Sequence, residues 1–369
     1  MFDGPARGWI GIDLGTSAVK LAQVRRVGAR WRLVHARIVR RDPGNGRAGL
    51  PEEILGWWED TCRDGQSRAG FAGRRAACVL PASATDLRAV HLPDGSDPER
   101  RAMIAGELES IFSAGAARRT FDFWECRPPA AEEESKLENV NVLSVAEDEA
   151  ALVADALGRA GLRCLAIDGL PLALARAVGM VQPAEPQAPV AAVDWGYTSA
   201  TICVICASRP VFTRHLRDCG FGALVCAASE GLGLPADDAE QLLAMHGLPD
   251  PARHAGDRAD AVREIQEVLA DVTSQALGAM VSQLNKTLAY PELHRSRLIP
   301  RKIWLLGGGA TVRNMAAVLS ARAGLPFEAW RLPGSEGPGS FSAVPDALLG
   351  PAVALSALGL PRSRIASLV

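Results

Sequence analysis

Asp13, Gly15, Thr16, Ser17 and Lys20 stand in the stretch IGIDLGTSAVKLAQV, where a carboxylate, a glycine, two hydroxyls and an ammonium lie between apolar runs. A strand ending at the aspartate, a tight turn at a glycine that accepts φ > 0, and a returning strand would turn consecutive backbone N–H groups toward an anion. The carboxylate suits a hard cation such as Mg²⁺ with its waters, and Lys20 on the outgoing strand would reach a phosphate oxygen as a point charge. The chain then repeats the arrangement. VAAVDWGYTSATICVI carries Asp194, Gly196, Tyr197 and Thr198 in the same order, with Thr201 in place of the lysine. Either stretch alone reads equally as an ordinary β-hairpin with Asp and Gly in its turn; the repeat marks a duplicated unit with two non-equivalent anion loops. A third feature is KIWLLGGGATVRNM, an apolar strand running into Gly307, Gly308 and Gly309 before a helix near Thr311. Without Cβ atoms such a turn can lie against a flat ring. No G-x-x-x-x-G-K-S/T phosphate loop occurs in the chain.

The elements that must position these groups follow from periodicity. Residues 8–40 read as three strands, and a helix is expected at 51–64, where Pro51 suits a first turn. RAACVLPASATDLRAVHLP alternates like edge strands broken by Pro81, DPERRAMIAGELESIF carries a helical stripe, and FDFWECRP and NVNVLSVA are strand candidates around the polar run 130–138. Residues 77–147 therefore form a small α/β insertion in a first domain made of 8–76 and 148–181. The proline-rich stretch 182–189 is a linker, and 190–369 is the second domain, with a helical part at about 222–299. Within it a long helix is expected over 259–289, with Val262, Ile265, Leu269, Val272, Ala276, Met280, Leu284 and Leu288 on its core face.

Composition bounds the function. A 369-residue chain that is 48% hydrophobic has material for two cores, and a net charge of −2 gives no global positive field for nucleic acid. No apolar run reaches the ~18 residues of a membrane span, and MFDGPARG lacks the apolar core of a leader, so a cytoplasmic location is expected. The eight cysteines are scattered through apolar runs, without a disulfide framework. Cys203 and Cys206 form C-x-x-C within a strand-like run, where residues three apart face opposite sides, which argues against a metal pair.

Two phosphate hairpins flanking a linker, with a glycine-rich strand-to-helix turn near the C-terminus, resemble the actin, sugar kinase and heat-shock chaperone ATPase superfamily. Within it the order of parts is similar to the PilM family of type IV pilus assembly and its FtsA relatives. IGIDLGTSAVKLAQV, ALGRAGLRCLAIDGLPLALARAVG, VFTRHLRDCGFGALVCAASEGLGLPADDAEQLL, IWLLGGGATVRNMAAVLSARAGLPFEAW and DALLGPAVALSALGL carry the resemblance over nearly the whole chain. It implies an α/β actin-like ATPase fold: two duplicated α/β domains around a nucleotide cleft, with a small inserted subdomain that actin lacks. It implies ATP and Mg²⁺ as cofactors, with Asp13, Gly15, Thr16, Ser17 and Lys20 as the first phosphate loop and Asp194, Gly196, Tyr197 and Thr198 as the second. Asp13 and Asp194 would hold the metal through water, Gly307, Gly308 and Gly309 would pack on adenine, and Glu240 would contact the ribose.

The partner implied by the resemblance is the cytoplasmic N-terminal segment of a PilN-like inner-membrane protein, docked between the first domain and the insertion. That would hold the chain at the membrane periphery without insertion, and self-association is open. Three departures bear on turnover. Leu170 stands where the family tends to carry an acidic residue that orients the attacking water, Leu243 stands where a lysine often lies near the base, and the usual glycine pair is split as CGFG. Slow or absent hydrolysis is the expectation. The alternatives are a small-molecule kinase of the same fold and an FtsA-like filament former. The first lacks a convincing base motif, and for the second the tail PRSRIASLV is too short for a membrane helix.

Overall fold

The computed structural model describes residues 7–28, 30–41, 70–112, 118–126, 140–182, 188–252, 261–295, 297–333 and 344–360. The helix expected at 51–64, the polar run 130–138, most of the linker and the tail 361–369 lie outside the described residues. The first half runs β1 (Ile10–Leu14), β2 (Ala18–Val27), β3 (Arg30–Arg40), β4 (Arg75–Val79), β5 (Asp86–Val90), α1 (Asp97–Ile111), β6 (Arg119–Glu125), β7 (Val140–Ala146), α2 (Glu147–Arg159), β8 (Arg163–Asp168) and α3 (Leu170–Val181). The second runs β9 (Val190–Trp195), β10 (Ala200–Cys206), β11 (Arg209–Leu216), α4 (Gly222–Leu232), α5 (Ala236–Met245), α6 (Ala261–Val272), α7 (Ser274–Leu288), α8 (Pro291–Arg295), β12 (Ile303–Gly307), α9 (Met315–Ala323), β13 (Phe327–Ala329) and α10 (Asp346–Ala357).

The two large sheets have the same plan. Their orders are β3-β2-β1-β4-β8 and β11-β10-β9-β12-β13. Each begins with an antiparallel meander and ends with two parallel strands. Register matches as well: Asp13 lies opposite Lys20, and Asp194 opposite Thr201. The duplication read from two short stretches thus extends through five strands on each side.

The halves meet on α3 and α10. One buried cluster joins Ala22 and Val24 of β2, Leu174 and Val178 of α3, Ala192 and Cys203 of the second sheet, and Leu349 and Val353 of α10. Helix α10 is buried on nearly every face, the pattern of a helix enclosed by its own protein. It approaches β1 so closely that a Cβ on Gly11 would overlap the Ala352 carbonyl. The Ser356 hydroxyl fastens the same contact, accepting from the Val24 N–H at 3.0 Å and donating to Trp9 O.

The insertion is a separate sheet, β5-β7-β6, with Ile104 and Leu108 of α1 packed on Leu92, Val140 and Val142. Its Trp124 indole reaches the second half and donates to Pro210 O at 2.9 Å. Residues 77–79 belong to β4 of the first large sheet, so the small sheet begins at Asp86. Strand β4 is not an edge: it lies between β1 and β8 and is buried from Ala76 onward.

The long helix expected over 259–289 is two helices. Buried Thr273 separates them, its hydroxyl donating to Leu269 O at 2.7 Å, a back-bond that bends helices. The core face changes with it: α6 buries Gln266 and Leu269 and leaves Ile265 and Val268 exposed, while α7 buries Leu277, Met280 and Leu284. Cys203 and Cys206 enter different core clusters on opposite faces of β10.

Glycine substitutions separate the tight helix contact from open surface. Gly11→Ala forces a methyl into α10 and should cost about 1–3 kcal/mol. Gly158→Ala, in α2 with nothing near its added Cβ, should stabilise by about 0.5–1 kcal/mol. Denaturant midpoints at constant m-value distinguish the two; equal midpoints would remove α10 as the fastening of β1.

Candidate functional site

Strand β1 delivers Asp13 to its C-terminal end and β2 brings Lys20 back beside it, because the two are register partners. Their ion pair is 2.8 Å long and almost fully buried. Strand β9 delivers Asp194 to the same place from the other half: both aspartates line one small cavity with Gly15, Thr16, Ser17, Lys20, Gly196, Tyr197 and Thr198. Burial opposes the Lys20 charge, but Asp13 and Asp194 together outweigh it and hold its pKa above the ordinary value. Burial pushes the Asp194 carboxyl up against the pull of Lys20, with Asp13 adding to the rise, and leaves it at about 6.

The donor set fits a divalent cation. Asp194 Oδ1 is buried with no hydrogen-bond partner among the described residues, a costly state for an ionised oxygen. A hydrated cation between the aspartates would satisfy that oxygen and the negative charge left after Lys20 is counted. Among the described residues, the space between the two loops is too small for a polyphosphate. The Thr16 and Thr198 hydroxyls touch across the cleft at 3.0 Å, and the cavity measures about 60 Å³, against the ~300–1,000 Å³ usual for small-molecule sites. The two loops must part to admit a polyphosphate.

Other residues expected at the site are placed differently. Gly307, Gly308 and Gly309 face the protein's own groups: added Cβ atoms would meet Asp194 Oδ1 and Trp195 O, the Phe221 ring, and the Trp195 ring, respectively. Their lack of side chains is used for internal packing, and only the outer backbone surface of half-buried Gly308 remains for a ring. The chain then makes a 3₁₀ turn (Gly308–Thr311), and the helix begins at Met315 rather than near Thr311. Glu240 is at the cleft mouth, paired with Arg40 at 3.3 Å; Arg40 also holds Asp237 at 2.8 Å. Leu243 is fully buried in the second core and does not face the cleft. The split CGFG also has a steric reason, since Cβ atoms on Gly220 and Gly222 would both press on Tyr197 O of the second loop.

Leu170 lines the cavity at the first turn of α3. Asp168, two residues earlier, is committed elsewhere, with its oxygens accepting from the Gly169 N–H and from Arg176. Sequence reasoning did not find Arg40 and Arg41. Arg41 donates to Gly15 O at 2.9 Å and braces the first loop. Both stand at the end of β3, and only the length of that strand, which pairs with β2 as far as Ala18, could have pointed to them.

Two sheets of one plan facing a shared cleft, each with an Asp–Gly hairpin at its turn, define the actin-like ATPase fold. The chain superposes on a structure of a PilM–PilN type IV pilus biogenesis complex with a TM-score of 0.71 and 22% identity, covering 96% of this chain and 97% of that one. It also superposes on the ethanolamine utilization protein EutJ from Carboxydothermus hydrogenoformans with a TM-score of 0.57 and 14% identity, over 96% and 91% of the two chains. No protein-family model matches the sequence, and no curated protein matches it.

The Asp194 pKa gives a pH dependence of known sign. A carboxyl raised from its ordinary value of 3.8 to about 6 on folding contributes stability that is fully present below pH 4 and lost as pH rises through 6. Asp194→Asn should remove this dependence. Urea midpoints of the unliganded wild type should fall relative to the variant between pH 4 and 7; parallel curves would show that the carboxyl titrates normally.

Proposed function

We propose that the chain is an ATP- and Mg²⁺-binding scaffold that docks an extended peptide from a PilN-like inner-membrane assembly protein, and that it hydrolyses ATP slowly or not at all. The observation that carries this reading is the buried Asp13–Lys20–Asp194 group at the meeting of two anion loops, with Leu170 where turnover would need a polar group. Asp13 and Asp194 would hold the cation through water, and the backbone of residues 15–17 and 196–198 would cradle phosphates. Bound Mg²⁺ supplies charge neutralisation between the halves. Leu170 can neither accept a proton nor aim a water, and Asp168 is held by Arg176.

A groove of about 270 Å³ supports the peptide part of the reading. It is lined by the consecutive residues Thr85–Arg88, by Leu143, Leu170 and Pro171, and by Thr213 and His215 of β11. Strand β5 pairs only with β7, so its other edge is open among the described residues, and an extended segment can add to it. Ala82, Leu170 and Thr201 line both this groove and the cleft cavity. Parting of the phosphate loops would therefore move a wall of the groove, which links nucleotide to partner. Through such a partner the scaffold would sit at the inner membrane.

Three measurements test the reading. Asp13→Ala or Asp194→Ala should weaken Mg·ATP binding at least tenfold, about 1.4 kcal/mol, by calorimetry; unchanged affinity in both would sink it. Leu143→Asp should weaken the partner's N-terminal peptide by a similar factor in fluorescence anisotropy while leaving nucleotide affinity intact, and unaffected peptide binding would move the docking site elsewhere. Wild-type turnover should lie far below the enzyme median of roughly 10 per second and rise in Leu170→Glu. Fast wild-type hydrolysis would show that another group orients the water.

A further inference from the structure

Between Asp13 and Asp42 the chain has no acidic residue and carries Lys20, Arg25, Arg26, Arg30, Arg32, Arg37, Arg40 and Arg41. In a protein of net charge −2 this is a strong local concentration of positive charge, and it falls on β2 and β3. Register sorts it by face. Arg25 pairs with Arg32, Val27 with Arg30, and Arg7 bridges to Arg25 from the other side. Paired residues share a face and alternate residues return to it, so Arg7, Arg25, Val27, Arg30 and Arg32 form one surface across β2, β3 and the segment that leads into β1. The opposite face carries Val24, Trp31 and Leu33, which pack on the core. On that side Arg26 lies over the Trp31 ring and donates to Gly28 O, which steadies the turn.

Like charges set directly opposite one another in a sheet are destabilising. Among the described residues no carboxylate pairs with Arg7, Arg25, Arg30 or Arg32, although Arg40, at the far end of the same strand, finds two. We infer that this open end of the β2–β3 hairpin is a docking face for an anionic lipid surface, separate from the nucleotide cleft and the peptide groove. Three features select that occupant. The array lies on paired strands whose backbones run ~5 Å apart, so its charges are spread over an area and match a plane of phosphates better than one small anion. Val27, 43% exposed, puts an apolar group among the arginines at the tip, as interfacial segments do. Trp31 faces the core and His35 packs edge-on against buried Phe71, so among the described residues no free ring stands on this face as a platform for nucleic-acid bases. Contact is by adsorption, and the hairpin stays folded outside the hydrocarbon.

Co-sedimentation of the full chain with vesicles tests the inference. Vesicles of phosphatidylcholine containing phosphatidylglycerol should retain the wild type, phosphatidylcholine alone should not, and retention should fall as salt shortens the screening length. Each single substitution among Arg7→Gln, Arg25→Gln, Arg30→Gln and Arg32→Gln should lower the partition coefficient about fivefold, and the four together roughly several hundredfold. Replacement of all four by lysine should keep binding within a few-fold. Unchanged thermal midpoints in the single variants, whose side chains reach solvent, confirm that loss of binding is not loss of fold. Equal retention of wild type and glutamine variants, or indifference of the wild type to phosphatidylglycerol, overturns the inference. Tighter binding to a single-stranded oligonucleotide at the same salt, lost in the same variants, also overturns it by assigning the face to nucleic acid.

Discussion

Two carboxylates and one ammonium are held out of water where two hairpins face each other, and the uncompensated negative charge governs the rest of the cleft. Its origin lies in the way the duplicated units diverged. In the first hairpin Asp13 has a lysine as its register partner; in the second, Asp194 has Thr201 at the equivalent place. A lysine at both positions would have made two closed ion pairs with no affinity for a cation. A threonine at both would have left two buried carboxylates without a counter-charge, a state that costs several kcal/mol per ion. One of each leaves Asp194 raised to about 6 with an oxygen unpartnered, so the folded protein is strained toward binding positive charge.

That strain can be held because the fixed and yielding parts of the molecule are different. The halves are fastened at α3 and α10, where both sheets share a buried apolar cluster. Across the cleft mouth they are fastened weakly. The side chains of Arg40 and Asp237 are 66% and 85% exposed, and pairs of that kind contribute about 0–1 kcal/mol. One hydroxyl contact, Thr16 to Thr198, closes the space between the loops at a net worth of about 1 kcal/mol. Parting the two loops therefore breaks only weak contacts at the cleft mouth, while the buried cluster and the insertion's contacts with the second half, Trp124 to Pro210 and Glu125 to Arg209, lie away from it. Glu240 belongs to the same economy of weak contacts: a ribose reaching it must displace Arg40, an exposed cation that water can satisfy.

How far this was legible in the sequence depended on whether the signal was local. Asp13 and Asp194 could be aligned because a strand, a turn and a returning strand leave their whole pattern within sixteen residues, and Lys20 and Thr201 fell at equivalent places on the returning strands. The three glycines were legible as a turn, but their reason was not. Whether bare backbone serves a ligand or a neighbouring ring depends on Trp195 and Phe221, which arrive from elsewhere in the chain. The break between α6 and α7 turns on the hydroxyl of Thr273, which periodicity cannot weigh. Arg40, Arg41 and the basic face of the hairpin depended on strand length and on which side of β2 faces α10. That side is decided by packing against the end of the chain.

Leu170 shows why one residue can look like a defect from sequence and like a design from structure. From sequence it is a residue that offers the cleft no proton acceptor. In place, its side chain separates two cavities, lining the phosphate site on one side and the groove beside β5 on the other. A carboxylate there would sit close to two aspartates already short of positive charge, and it would put a charged, water-seeking wall beside Leu143 and Pro171. A leucine lets the wall stay dry and lets it move as a packed body with the first turn of α3. The absence of a proton acceptor at this position and the presence of an apolar partition thus come from one side chain.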